Sequence, residues 1–323
     1  MPGSPPRHSR RSPGPTVAKG WLGSVHRFWL RYYASDYLGL VILLTIYILV
    51  VFLVEPFHRL FSLEDVAIQF PHATKERVPV PWLFVYAGAV PLLLIIAILL
   101  AFDRNKHKAH VTLLGFFISL IMTSLVTDTI KNAVGRPRPD LISRCVPGKN
   151  SAELSKLVSF RVCTQTNSHI LHDGFRSFPS GHSSFSFAGL GYLTLFICGQ
   201  LHVFRPLAPA SSLSAMLAAC APLLGAALIA ISRCEDYRHD VWDVCFGSVL
   251  GFAIAWLQYR RYYPSLRHSR CDVPFPGRCT QWEMAKLKND EESAVEARRF
   301  ELGEESDSDE HDHTTSMLNA RVA

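Results

Sequence analysis

Cysteine pairs spaced as CxxC are missing from this chain of 323 residues. Its eight cysteines are scattered, which excludes a zinc-ribbon site and a dense disulfide scaffold. Residues 1–20 are rich in Pro, Ser and Arg and hold no apolar run. They are therefore expected to form a disordered arm and not a secretory signal. No lipidation or luminal-retention signal stands at either end. A basic face on a folded domain is missing too. The formal charge of +6 sits mostly in tails and loops, which argues against a nucleic-acid partner.

Long apolar blocks are what the chain does have. Six segments approach the roughly 20 residues of helix that a bilayer core requires. They are Tyr37–Val54, about Trp82–Phe102 with a kink expected at Pro91, about Val111–Ile130, Ser180–Cys198, Ser211–Ile231 and Val241–Leu257. The fourth and sixth are interrupted by Ser, Gly or Asp, as expected of helices facing a bundle interior or a polar cavity. The expected architecture is all-α: a basic cytosolic arm (1–36), a six-helix membrane domain (37–258) and a cytosolic tail (259–323).

Lys and Arg in the flanks set the orientation. Arg7, Arg10, Arg11, Lys19, Arg27 and Arg31 precede the first span. Arg104, Lys106 and Lys108 occupy the second loop, and Arg260, Arg261, Arg267 and Arg270 follow the last span. With six crossings all of these share the cytosolic side. The loops after the third and fifth spans then lie on the luminal or extracellular side, together with the loop from Glu55 to Pro81. The end of the chain, Glu301 to His313, is dense in Glu, Asp and Ser and reads as a solvated acidic tail, with Ser306 and Ser308 open to phosphorylation.

Three polar stretches punctuate the membrane domain, and the topology puts all of them on the luminal face. The first runs from Lys131 through Arg138 to Pro139, the second is Pro179-Ser180-Gly181-His182, and the third runs from Ser232 through Arg233 and His239 to Asp243. His239 and Asp243 are four apart at the start of the sixth helix. Helical spacing would place them on one face, with the carboxylate accepting a hydrogen bond from one imidazole nitrogen. An isolated pair of this kind is commonly an ordinary helix start, but an intramembrane carboxylate is costly and usually functional. Ser180 is a good N-cap after Pro179, and Gly181 permits close backbone approach, so the first amides of the fourth helix suit an anion. His182 stands where it could protonate a departing oxygen. Lys131, Arg138 and Arg233 offer fixed cations, although each alone is equally an interfacial anchor, the reading kept for Arg136 and Arg238. Phe178 and Phe185 are read as packing residues.

Taken together, Lys-x6-Arg-Pro, Pro-Ser-Gly-His and Ser-Arg-x5-His-x3-Asp resemble the tripartite signature of the type 2 phosphatidic acid phosphatase (PAP2) superfamily, with every signature position matched over roughly 37–258. The resemblance implies a six-helix bundle of the PAP2/haloperoxidase type that hydrolyses lipid phosphates. It implies His239 as nucleophile, Asp243 as its orienter and His182 as acid and base. Lys131, Arg138, Ser180, Gly181 and Arg233 would bind phosphate, with no metal or other cofactor. Phosphatidate is the leading substrate expected, with diacylglycerol pyrophosphate and lysophosphatidate beside it. Polyprenyl pyrophosphates and sphingoid-base phosphates remain open, as does a non-catalytic phospholipid-binding protein. A transporter fits less well, because its ionisable residues should lie deep within the helices. The expected partners are the bilayer and a lipid phosphate; a homo-oligomer is compatible. Endoplasmic reticulum, Golgi, vacuole and plasma membrane all fit the orientation. Cys145 and Cys163 share the luminal loop, either as a pair in an oxidising compartment or as free thiols.

Overall fold

The computed structural model describes residues 33–102, 105–148, 157–205, 212–277 and 288–295. Among them the chain is helical, and two isolated β-bridges (Phe61 with Val158, Pro147 with Cys163) stand in place of any strand. The long helices are α1 (Ala34–Leu53), α2 (Val80–Phe102), α3 (Lys106–Val134), α6 (Gly181–Gln200), α7 (Leu213–Glu235) and α8 (Val241–Tyr262). Two short helices, α4 (Leu141–Cys145) and α5 (Ser168–Asp173), lie between α3 and α6. One unit comprises Leu38–Phe275. The other, Met1–Tyr37 with Pro276–Ala323, is described only at 33–37, 276–277 and 288–295. Arg104 and the acidic run with Ser306 and Ser308 lie outside the described residues.

Five of the long helices are long and apolar enough to cross a membrane. Their outer faces are apolar: Leu93, Leu100, Leu217, Leu224, Leu228, Phe246 and Val249 are all exposed. Polar side chains turn inward instead, as with the buried Thr112, Ser119, Thr123 and Thr127 of α3. This inverted distribution is stable only when the surroundings are hydrocarbon. The chain is an integral membrane protein. The sixth long helix, α6, has the length but carries serines and glycines where apolar residues would be. Enclosed by α3, α7 and α8, it has little lipid to face.

The expected helices are present, with differences at their ends. Lys106 and Lys108 belong to the first turn of α3, where Asn105 caps the helix and the buried Lys108 donates to Gln200 Oε1 at 2.8 Å. Arg260 and Arg261 are likewise in the last turn of α8, where cations suit the helix dipole. Near the expected kink at Pro91, α2 widens into a π turn over Val85–Ala89. Pro91 has no N–H for the carbonyl of Ala87, and that carbonyl lies where a Cβ on Gly189 of α6 would sit, 1.8 Å away. α3 ends at Gly135, whose φ of 58° and contact with the Phe57 carbonyl leave no room for a side chain.

The segments around 55–79, 136–148 and 157–180 form a cap with a small core of its own. Phe61, Ile68, Leu141, Cys145, Val158, Leu171 and Phe175 pack together, and Cys145 is disulfide-bonded to Cys163.

Candidate active site

Glycine spacing brings α8 against α6. A Cβ on Gly247 would lie 2.6 Å from the Ser180 carbonyl oxygen, and one on Gly251 would lie 2.0 Å from that of Ser184. Gly247 and Gly251, four apart, face Ser180 and Ser184, also four apart, so small residues on both helices let the backbones touch. The backbone N–H of Ser180 then donates to the Asp243 carbonyl at 2.9 Å. The N-termini of the two helices, and with them the second and third polar stretches, are thereby joined.

Ser180 is the N-cap of α6 after a cis Phe178–Pro179 bond. Its hydroxyl accepts from Ser183 N at 3.4 Å, and Ser184 N is taken by the Ser180 carbonyl. The amides of Gly181 and His182 are thus the ones left to receive an anion. A Cβ on Gly181 would meet Lys131 Cε at an ordinary 3.5 Å, so close approach does not demand glycine there.

His239 departs from the expected geometry. α8 starts at Val241 with Asp240 as N-cap, so His239 precedes the helix and the spacing of four does not align it with Asp243. Its Nδ1 is 3.8 Å from Asp243 Oδ2 and donates instead to the Ser177 carbonyl at 2.7 Å. The Asp243 carboxylate is saturated by others: Arg136 Nη1 (2.6 Å), the Ser177 hydroxyl (2.5 Å) and the amide of Asp240 in a capping box (3.1 Å). Asp243 therefore acts at one remove, anchoring the serine whose carbonyl fixes the imidazole tautomer. Burial, and then the nearby Lys131 and Arg138, hold the His239 imidazole well below its ordinary pKa of 6.5. As pH falls through 6.5 the unfolded chain binds a proton that the folded site refuses, so this group subtracts stability on the acid side. At neutral pH its second nitrogen, Nε2, carries a free lone pair.

The cations come from three elements. Lys131, in the last turn of α3, donates to the Arg176 carbonyl at 2.9 Å. Arg138 donates to Asp173 at 2.7 Å, and Arg144, buried in the cap, grips both Asp173 (2.9 Å) and Asp140 (2.9 Å). Burial pushes the Asp173 carboxyl up, but Arg138 and Arg144 outweigh it and hold the group well below the carboxylate range. Arg233, in the last turn of α7, pairs with Asp236 and donates to Glu76 Oε2 at 2.7 Å. His182 Nε2 donates to the Val78 carbonyl at 3.0 Å.

A cavity of about 570 Å³ gathers Lys131, Arg138, Gly181, His182, Arg233 and His239 in its lining. Ser180 and Asp243 are not in the lining; both are buried, and they hold the backbone in place. Phe185 lines the cavity, edge-on to Phe84, while Phe178 packs on Phe246. The sequence reading missed several residues. Arg136 is not a surface anchor but the clamp on Asp243 and Asp240. Arg238 is not one either: it enters the cavity, pairing with Glu76 at 2.8 Å. Glu76 and Asp173 carry no local motif. Arg136, inside the Arg-Pro-Arg-Pro run, had the one available signal, a cation beside two prolines that stiffen it. Among the described residues no group of three or more His, Cys, Asp or Glu side chains is placed to hold a metal ion.

The helices and the cap define a membrane protein whose bundle carries, at one end, a cavity lined by two histidines and converging cations. The chain belongs to the PAP2 superfamily, whose family model matches residues 112–267 and so includes all three polar stretches. It is 44% identical over 242 residues to diacylglycerol pyrophosphate phosphatase 1 of Saccharomyces cerevisiae, covering 73% of this chain and 81% of that protein. It is 38% identical over 252 residues to a probable diacylglycerol pyrophosphate phosphatase 1 of Schizosaccharomyces pombe (77% and 87% covered). Lipid phosphate phosphatase 2 of Arabidopsis thaliana is 35% identical over 258 residues (80% and 82% covered). No solved structure matches the chain.

Proposed function

We propose that the chain is a lipid phosphate phosphatase that works through a phosphohistidine on His239. The observation that carries this reading is one cavity presenting a neutral, tautomer-fixed His239, a second histidine and several fixed cations. Burial, and then Arg233, hold the His182 pKa down to about 3, so it takes up the proton that makes it an acid only with the anionic headgroup bound. His239 Nε2 then attacks phosphorus as the bond to the lipid oxygen breaks, and the His182 imidazolium gives its extra proton to that oxygen. A water then attacks the phosphohistidine, yielding its proton to His182 as the phosphorus–nitrogen bond breaks and phosphate leaves. Lys131, Arg138, Arg233 and the Gly181 amide neutralise the charge on the non-bridging oxygens.

Phosphatidate, giving diacylglycerol, is the expected substrate, and diacylglycerol pyrophosphate joins it on two grounds. Two of the three relatives named above are called phosphatases of that lipid. Six Lys and Arg side chains also line the cavity against three carboxylates, an excess suited to a polyanionic headgroup. The apolar part of the lining, Val51, Val80, Leu83, Phe84 and Phe185, suits the glyceride end. The site faces away from the cytosol in this reading, with α6 as the sixth crossing. The basic flanks support that side, and so does a disulfide within the cap, because disulfides persist in oxidising compartments.

Fixed cations occupy the role that magnesium takes in other phosphoryl transfers, so divalent metal should be dispensable. Phosphate release from phosphatidate and from diacylglycerol pyrophosphate in mixed micelles is expected to continue undiminished in EDTA. Activity that depends on added magnesium, or that falls only on polyprenyl or sphingoid-base phosphates, would contradict the proposal. Asp243→Asn offers a graded check. A direct orienter lost in this way costs about 10⁴-fold in kcat. An anchor of the Ser177 segment, by shifting His239 slightly, should cost about 10²-fold. The smaller loss is expected.

A further inference from the structure

The segment from His72 to Val78 lies across the cavity as a strap held by polar contacts. His72 Nδ1 donates to Asp140 at 2.6 Å, and the Ala73 carbonyl accepts from Arg238 at 3.2 Å. The Arg77 amide donates to Asp236 at 3.0 Å, while the Arg77 side chain pairs with Glu235 at 3.1 Å. At the centre is Glu76. Its Oε2 accepts from Arg233 Nη1 at 2.7 Å, its Oε1 lies 2.8 Å from Arg238 Nη2, and Oε2 is 3.9 Å from His182 Nε2. The next contact along the strap is the Val78 carbonyl, which takes the proton on His182 Nε2.

These contacts copy what a substrate would make. A carboxylate with one oxygen on each of two guanidiniums mimics two non-bridging oxygens of a phosphate, since arginine forks accept either group. A carbonyl on His182 occupies the place of the leaving oxygen. Burial pushes the Glu76 carboxyl up, but the hydrogen bond from Arg233 and the charges of Arg238 and Arg233 outweigh it and hold the group below the ordinary carboxylate value. The nearby buried Arg238 Nε has no hydrogen-bond partner, so the guanidinium is not satisfied by this arrangement alone.

We infer that Glu76 is an internal competitor of the substrate: it occupies the anion position of Arg233 and Arg238, and a substrate headgroup must displace it to bind. The inference rests on the reading of Arg233 as a phosphate ligand. A phosphodiester, with one negative charge, gains little by replacing a carboxylate. A phosphomonoester dianion gains more, and a pyrophosphate, which can engage further cations, gains most. Glu76 thus raises the threshold for binding, and a headgroup that engages more cations clears it at lower concentration.

The test is inorganic phosphate, whose affinity for the full-length protein in detergent can be measured by calorimetry without turnover. If Glu76 competes with the anion, Glu76→Gln should bind phosphate about tenfold more tightly, because the fraction of sites open to the anion rises. KM for phosphatidate should fall in parallel. The kcat/KM values for phosphatidate and for diacylglycerol pyrophosphate should rise by the same factor, because the open fraction multiplies both. Glu76→Asp keeps the charge but cannot reach both guanidiniums, so it should lie between, and it decides the matter if the glutamine variant fails to accumulate. A residue that merely held the arginines in place would behave in the opposite way. Phosphate affinity unchanged or weakened in these variants overturns the inference. Should the wild type hydrolyse no lipid phosphate at all, the proposed function fails while the calorimetric comparison still decides the role of Glu76.

Discussion

His239→Ala is expected to abolish phosphate release from every lipid phosphate, by about 10⁴-fold or more in kcat, as removal of a covalent nucleophile does elsewhere. Alanine leaves the Ser177 carbonyl without the 2.7 Å donor and empties a place among the cations, but the hydrogen bond it removes goes to a loop segment and not to a helix. The variant should therefore reach the membrane in normal amount, and stability should not account for the loss. Removing a buried imidazole that resists protonation should also relieve part of the acid destabilisation, so the variant is expected to tolerate pH below 6.5 slightly better than the wild type. Thermal unfolding at two pH values, run beside the activity assay, checks both halves.

The second large effect concerns packing. Gly251→Ala should destabilise the bundle by about 3 kcal/mol or more, since overpacking of a tight contact costs that much when backbone is the obstacle. The new methyl would sit 2.0 Å from the Ser184 carbonyl oxygen and within 3.0 Å of its carbonyl carbon and Cα, none of which can rotate aside. Helix propensity alone predicts the reverse, a gain of about 1 kcal/mol for replacing a helical glycine by alanine. Gly39→Ala separates the two effects, because nothing lies within 4 Å of a Cβ there. Half-denaturation temperatures in detergent should fall for Gly251→Ala and hold or rise for Gly39→Ala. Activity of Gly251→Ala should fall with its stability, because forcing α8 from α6 also parts His239 from His182.

Local chemistry is what the sequence reveals best in this protein. Ser180 was legible as a cap because a serine after proline and before an apolar run has few other uses. The long apolar blocks were legible because a bilayer demands length. Helix ends were harder: Lys106 and Lys108 look like loop residues, yet Lys108 is buried because Gln200, 92 positions away, receives it. The same limit explains His239. Whether a helix starts at His239 or two residues later depends on which of several polar residues caps it, and Asp240 takes that place. Glu76 was invisible because its partner Arg233 lies 157 positions along the chain, and a lone glutamate between Lys75 and Arg77 looks like any loop. The cap likewise joins Phe61 to Val158 and Phe175, contacts that no periodicity announces.

The central claim is a covalent bond between phosphorus and the His239 imidazole. Wild-type protein mixed with phosphate-labelled phosphatidate and quenched within the first turnover should carry label that is stable to base and released by acid. The label should map to the peptide containing His239 and vanish in His239→Ala. Label on another residue, or turnover with no labelled protein at any quench time while His182→Ala also accumulates none, would contradict the account.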